Sequence, residues 1–162
     1  MDKSVPMLRL SIRAGRPSDA TRLRDIHWRA SLTNEGDRDA VLAAGREVIV
    51  PEALGREEQA RVATTEDGTI VGFATTLLVD GVYELEDLFT DPGCRRQGVA
   101  TALINDAVEQ ARLNGVRRIE VTGNQHALAF YESVGFVRDG EVPTPFGSTA
   151  LRMHLEVAQR HR

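Results

Sequence analysis

The alternation of apolar and polar positions changes period several times along the chain. Leu8, Leu10 and Ile12 alternate with Arg9, Ser11 and Arg13, the period of a half-buried strand. Residues 1–7 read as a loose lead-in. Pro17-Ser18-Asp19 then marks a helix start. The spacing predicts a helix to about Ala30, with Ala20, Leu23, Ile26, His27 and Ala30 on one face. Trp28 falls off that face. It either covers a sheet edge or neighbouring helix, or contacts a substrate or a second copy of the chain. Residues 33–58 are less regular. A helix over Asp37–Val48 and a short helical piece over Glu52–Glu58 are expected, interrupted by Gly45, Pro51 and Gly55.

From Gln59 the period becomes two. Ala60–Thr65 and Thr69–Val79 read as strands joined by Glu66-Asp67-Gly68, and Asp80-Gly81 leads into a third strand, Val82–Thr90. Asp-Gly between β-rich runs is a hairpin signal, so the three form an antiparallel meander. The period then returns to helix. Ala100, Leu103, Ile104, Ala107, Val108 and Ala111 follow helical spacing over about Gly98–Asn114, and Asn114-Gly115 supplies the stop. Arg117–Thr122 is the next strand. A helical crossover makes it parallel to Val82–Thr90. A helix over about Gln125–Val134 follows, capped by Asn124 and ended by Gly135. Phe136–Asp139 and Ala150–Val157 read as the last strands, with Pro143, Pro145 and Gly147 in the loop between. The tail beyond residue 157 is expected to fray.

Composition narrows the classes. The chain has 162 residues, enough for one domain with a real core, and its 41% apolar and 27% charged content argues against disorder. A net charge of −4 disfavours a broad nucleic-acid surface, leaving only a local basic patch at Arg95, Arg96 and Arg112. One cysteine permits no internal disulfide, and the four histidines lack metal-ligand spacing, so no metal is expected. MDKSVPMLRLSIRAG lacks the apolar stretch of a secretion leader, and Phe73–Val79 is too short to cross a bilayer. The expected compartment is the cytoplasm, with no membrane association.

Chemistry concentrates between Glu84 and Thr101, ELEDLFTDPGCRRQGVAT. Glu84, Glu86 and Asp87 are acids in a strand, where acids are disfavoured. Ideal alternation puts Glu84 and Glu86 on one side and Asp87 on the other, and a bulge would change this. The turn through Pro92-Gly93 carries Arg95 and Arg96 to a helix start at Gly98 and Ala100, a natural anion site. Neither the Gly-Lys-Ser/Thr of phosphate loops nor the Gly-x-Gly-x-x-Gly of dinucleotide folds is present.

Arg95-x-x-Gly98-x-Ala100 resembles the Arg/Gln-x-x-Gly-x-Gly/Ala motif of the GCN5-related N-acetyltransferases, with Ala100 at the second glycine. Asn124, Ala127, Phe130-Tyr131-Glu132 and Gly135-Phe136 extend the match over residues 69–157. The resemblance implies an α/β fold: a mixed, mostly antiparallel sheet of about six to seven strands, helices on both faces, and central strands that splay apart. It implies acetyl-CoA as donor, moved directly to an amine, with Leu88, Phe89 and Thr90 offering backbone groups to the pantetheine and thioester. Arg95, Arg96, Gln97, Gly98, Val99, Ala100 and Thr101 would wrap the pyrophosphate, and Asn124 would hold the pantetheine arm. Glu86 is the favoured base and Glu84 the alternative, because Leu85-Glu86-Asp87-Leu88-Phe89 resembles the strand of polyamine acetyltransferases. Tyr131 matches the donor that protonates the leaving thiolate. Trp28, Glu84 and Asp87 are weaker candidates for acceptor contacts. The resemblance implies a small-molecule or peptide amine as acceptor and allows a homodimer, which no residue of the sequence marks. A catalytically silent acyl-CoA-binding module and a protein-interaction domain are the rival readings.

Overall fold

The computed structural model describes residues 9–33, 60–143, 147 and 149–159. The helices expected over Asp37–Val48 and Glu52–Glu58 lie outside the described residues. The strands are β1 (Ser11–Ala14), β2 (Ala60–Thr64), β3 (Ile70–Val79), β4 (Val82–Thr90), β5 (Arg118–Gly123), β6 (Val137–Pro143) and β7 (Thr149–Glu156). The helices are α1 (Ala20–Thr33), α2 (Val99–Leu113) and α3 (Leu128–Ser133). One seven-stranded sheet runs β1-β2-β3-β4-β5-β7-β6. Among the described residues, only β4 and β5 are parallel neighbours; the other pairs are antiparallel.

Turn chemistry sets the meander. Asp80 and Gly81 both have positive φ (52° and 81°) between the paired residues Val79 and Val82. That is the two-residue turn whose twist matches the flanking strands. Strand pairing also moves some predicted limits. β6 extends beyond the expected Asp139 to Pro143, because its residues pair with β7 and it lies at the edge of the sheet, where a proline is tolerated.

Helices cover both faces. On one face, Leu103, Ile104, Ala107 and Ala111 of α2 share a core with Val71, Tyr83, Leu85, Ile119 and Val121, joined by Tyr131 of α3. On the other, Leu23 and Ile26 of α1 pack with Val62, Ile70 and Phe73. Each fully buried aliphatic side chain contributes about 1.5–3 kcal/mol, so both helices are held by their apolar stripes. Gly72 allows α2 to start directly on the sheet. A Cβ there would stand 2.6 Å from Val99 Cγ1 and 2.9 Å from the Phe89 carbonyl oxygen.

Candidate active site

The site begins where two strands part. β4 and β5 pair only at Tyr83 with Ile119, Glu84 with Glu120 and Leu85 with Val121. Beyond that row β4 continues to Thr90, still paired with β3. β5 continues to Gly123, paired with β7. Among the described residues, the edge of β4 from Glu86 to Thr90 that faces away from β3 has no strand partner. Polar backbone groups in such a position need a partner from elsewhere.

A bulge sits at the same point. Thr76 lies opposite Leu85 and Thr75 opposite Asp87, so Glu86 is the extra residue. Leu85 and Leu88 therefore pack toward the α2 core although they are three positions apart, while Phe89 packs toward α1. This corrects the ideal alternation. Asp87 shares its face with Glu84, and Glu86 is left exposed at the bulge.

The three acids have different surroundings. Glu84 accepts from both terminal nitrogens of Arg152, with Nη2 to Oε2 at 2.7 Å. The same guanidinium donates to Glu120 Oε2 at 2.9 Å and Thr122 Oγ1 at 3.0 Å. Arg152 thus straps β4, β5 and β7 together at the row where pairing ends. Asp87 Oδ2 accepts from the buried Thr75 hydroxyl at 2.7 Å. Burial pushes the Asp87 pKa up, and the Thr75 bond and the nearby His27 pull it partly back. Glu86 is also raised, first by partial burial and then by the charges of Asp87 and Glu84.

Tyr131 belongs to the opposite wall. It is buried and meets Phe130 and Phe136 edge-on, at centroid distances of 5.4 and 5.2 Å. A Cβ at Gly123 would stand 3.1 Å from Tyr131 Cε2, so this glycine lets the ring lie against the end of β5. Burial, and secondarily the Asp87 charge, push the phenol up to about 12. It therefore keeps its proton through the neutral range. Asn124 caps the turn into α3, its Oδ1 accepting from the Ala127 N–H at 2.9 Å.

The loop after β4 ends at the N-terminus of α2. Arg96 and Gly98 have positive φ (63° and 80°), and α2 starts at Val99. The first helical bond runs from the Ala102 N–H to the Gly98 carbonyl, at 2.9 Å. The N–H groups of Gly98, Val99, Ala100 and Thr101 precede it and have no acceptor within the helix. Gln97 and Ala100 are half-buried, while Arg96 and Thr101 are exposed. Arg95 donates to Thr33 Oγ1 at the end of α1, at 2.6 Å. A left-handed glycine, small residues and clustered N–H groups fit a pyrophosphate. Cys94 is half-buried, and burial together with the Asp91 charge raises its thiol pKa, which makes it a poor nucleophile.

Trp28 is half-buried on α1. Its neighbour His27 is buried and meets Phe89 edge-on at 4.6 Å. Sequence reasoning missed Thr75, Asp91 and Arg152. The trace of the bulge was visible: apolar Leu85 and Leu88 flank two acids, which breaks the period of two. Asp91 before Pro92 was a readable turn cap. Arg152, in a regular strand pattern, carried no signal.

Among the described residues, no helix is long and apolar enough to cross a membrane, and no three His, Cys, Asp or Glu side chains form a metal-holding group. The family model described as "Acetyltransferase (GNAT) family" matches residues 20–136. An N-alpha-acetyltransferase, RimI, of Mycobacterium tuberculosis is 32% identical over 121 residues, covering 69% of this chain and 76% of the relative. An uncharacterized N-acetyltransferase of Methanocaldococcus jannaschii is 41% identical over 58 residues; the match covers 34% of this chain and only 26% of that protein. The crystal structure of the PaiA N-acetyltransferase from Thermoplasma acidophilum, in complex with coenzyme A, superposes with a TM-score of 0.75 at 16% identity, over 92% of this chain and 99% of that one.

Proposed function

The chain belongs to the acetyltransferase (GNAT) family and is an acetyl-CoA-dependent N-acetyltransferase, and from that premise we propose that its acceptor is a primary amine drawn in as a cation, on a small molecule or a peptide. The observation that carries this reading is the parting of β4 from β5 directly after Leu85, with Asp87 on the α1 side and Tyr131 on the α2 side. Donor and acceptor can then meet through the gap from opposite faces.

The residues take these roles. Backbone groups of Leu88, Phe89 and Thr90 that point away from β3 would hold the pantetheine and thioester. An N–H near Phe89 or Thr90 would donate to the thioester oxygen as charge develops there. Asn124 would hold the pantetheine arm, and Arg95 to Thr101 the pyrophosphate. When bound, acetyl-CoA supplies the acetyl group and leaves as a thiolate. Glu86 takes a proton from the acceptor, directly or through water, and Tyr131 gives one to the thiolate. Glu84 is committed to Arg152, which favours Glu86 over it as the base. Asp87 is a second choice, supported by its burial and its bond to Thr75.

An alkyl amine has a pKa of about 10.4 and a peptide α-amine about 7.7–8.0, so an α-amine needs less help to lose its proton. The name of the mycobacterial relative makes peptide N-termini a reasonable first arm of an acceptor panel. Polyamines form the second arm and an uncharged acceptor the third. Release of free CoA thiol with the cationic arms supports the reading. Release with the uncharged acceptor alone overturns it. Acetyl-CoA binding without any release points to a silent regulatory module, and no binding at millimolar ligand to an interaction scaffold. The cytoplasm is the proposed compartment and a homodimer the proposed assembly, which sedimentation over a range of concentrations checks.

A further inference from the structure

We propose that Asp91 is a positioning residue that sets the shape of the pyrophosphate cradle by latching its first turn to α1; this rests on the reading of Arg95–Thr101 as that cradle. Asp91 is only 6% exposed. Its Oδ1 accepts from the Gly93 N–H at 2.8 Å. Its Oδ2 accepts from Arg22 Nη2 at 2.7 Å and Arg29 Nη1 at 3.0 Å. Its own N–H donates to the Val71 carbonyl at 2.8 Å, and its carbonyl accepts from the Cys94 N–H at 2.8 Å. One residue therefore ends the β4 ladder, closes the turn and ties that turn to a helix on the other face of the sheet.

The latch has a second point and a neutral centre. Arg22 also donates to the Ile70 carbonyl, from Nε at 3.0 Å and Nη2 at 2.8 Å, which fixes its own position against β3. Asp25 pairs with Arg22 at 3.0 Å and with Arg29 at 3.5 Å. Two cations and two anions thus balance within the cluster. Arg95 then reaches back to Thr33. Arg22, Asp25, Arg29 and Thr33 follow helical spacing along one stripe of α1. The loop is gripped at its first residue and at its middle by that stripe, while α1 is itself anchored by Leu23 and Ile26 in the core. A cradle of backbone N–H groups acts only if its geometry is held, since misplacement by about 1 Å can cost on the order of 100-fold. The latch supplies that hold with arginines of α1, while the loop's own Arg95 bonds the neutral Thr33 hydroxyl.

The test compares two acetyl donors in wild type, Asp91→Asn and Arg29→Gln. Acetyl-CoA carries the pyrophosphate, and acetylpantetheine lacks it. The latch predicts that both variants raise KM for acetyl-CoA about tenfold, with kcat at saturation held within about twofold. It predicts the same kcat/KM for acetylpantetheine as in wild type. Arg29 is half-exposed, so its variant reports on the latch even where Asp91→Asn fails to fold. Equal losses with both donors would mean general loss of structure and overturn the proposal. Unchanged KM for acetyl-CoA in folded variants would overturn it as well. If wild type itself does not distinguish the donors, the cradle reading fails first, and the latch with it.

Discussion

The two ends of β4 are built on different terms. From Tyr83 to Leu85 it is an interior strand, with β3 on one side, β5 on the other, and Tyr83 and Leu85 in the α2 core. From Glu86 to Thr90 it keeps β3 alone. The closed end is finished by the Arg152 strap across Glu84 and Glu120. The open end holds the raised acids and faces the buried phenol of Tyr131. A gap is made where the partner strand withdraws, and the bulge at Glu86 marks the withdrawal. Similar carboxylates fall on either side of this boundary. Glu84 is tied to Arg152; Asp87 is held by Thr75, and Glu86 is exposed at the bulge, which is why the proposed base is sought between these two.

The comparison breaks most sharply at Tyr131. Tyr131→Phe keeps the ring in its aromatic cluster and removes the hydroxyl proposed as the proton donor. Turnover should fall about 100-fold or more, with acetyl-CoA affinity by calorimetry within about twofold of wild type. Equal loss of both would make the residue a packing element of the open end. Gly98→Val comes next. A β-branched residue at φ +80° is strained by about 1–2 kcal/mol, and relaxing the strain moves the N–H groups of the cradle. Acetyl-CoA affinity should drop about tenfold, and an unchanged Kd would remove the cradle from the site.

Arg152→Met attacks the closed end instead. It leaves Glu84 and Glu120, which are register partners on β4 and β5, facing each other with only Arg118, 3.2 Å from Glu120, to offset their charge among the described residues. The strap is partly exposed, with side chains 25–28% accessible. The stability loss should therefore fall between surface and buried pairs, at about 1–3 kcal/mol. Thermal melting measures it. Adding Glu84→Gln should recover part of the loss, and no recovery would mean that like-charge repulsion is not the cause. Glu84→Gln alone should reduce turnover less than Glu86→Gln; the reverse ranking would return the base to Glu84.

These contrasts also mark what the sequence could disclose. The helix now bounded at Val99–Leu113 was legible because it buries a regular stripe that leaves its period in the sequence, and Val82–Thr90 because the Asp80-Gly81 turn marks its start. The parallel pairing of β4 and β5 followed from the crossover helix between them. The splay came from the resemblance carried by Arg95, Gly98 and Ala100, not from periodicity. The faces of the acids were legible only as far as Leu85 and Leu88 flanking two acids hint at a bulge, because one inserted residue inverts every later side chain. The latch on Asp91 joins residues 62 and 69 positions apart. No local pattern encodes a pair at that separation.

The smallest expected effect lies in the pH profile, and it separates the acids of the open end. A base must be ionised to act, so kcat rises as pH climbs through its pKa. Partial burial, then Asp87 and Glu84, raise the Glu86 pKa, so the acid limb should lie above the ordinary carboxylate value of about 4.3. A proton donor must stay protonated, so its limb falls with rising pH. Tyr131 is held at about 12, and no alkaline fall from this residue is expected in the working range. The acceptor's own pKa governs the neutral-to-alkaline rise, so kcat is measured at saturating amine with two acceptors of different basicity. A limb that shifts with the acceptor belongs to the amine; one that stays belongs to the protein. Glu86→Gln should abolish the fixed acid limb and leave Asp87→Asn with it. If the limb survives in Glu86→Gln and vanishes in Asp87→Asn, the carboxylate anchored by Thr75 is the base, and the bulge serves to turn Asp87, not Glu86, toward the acceptor.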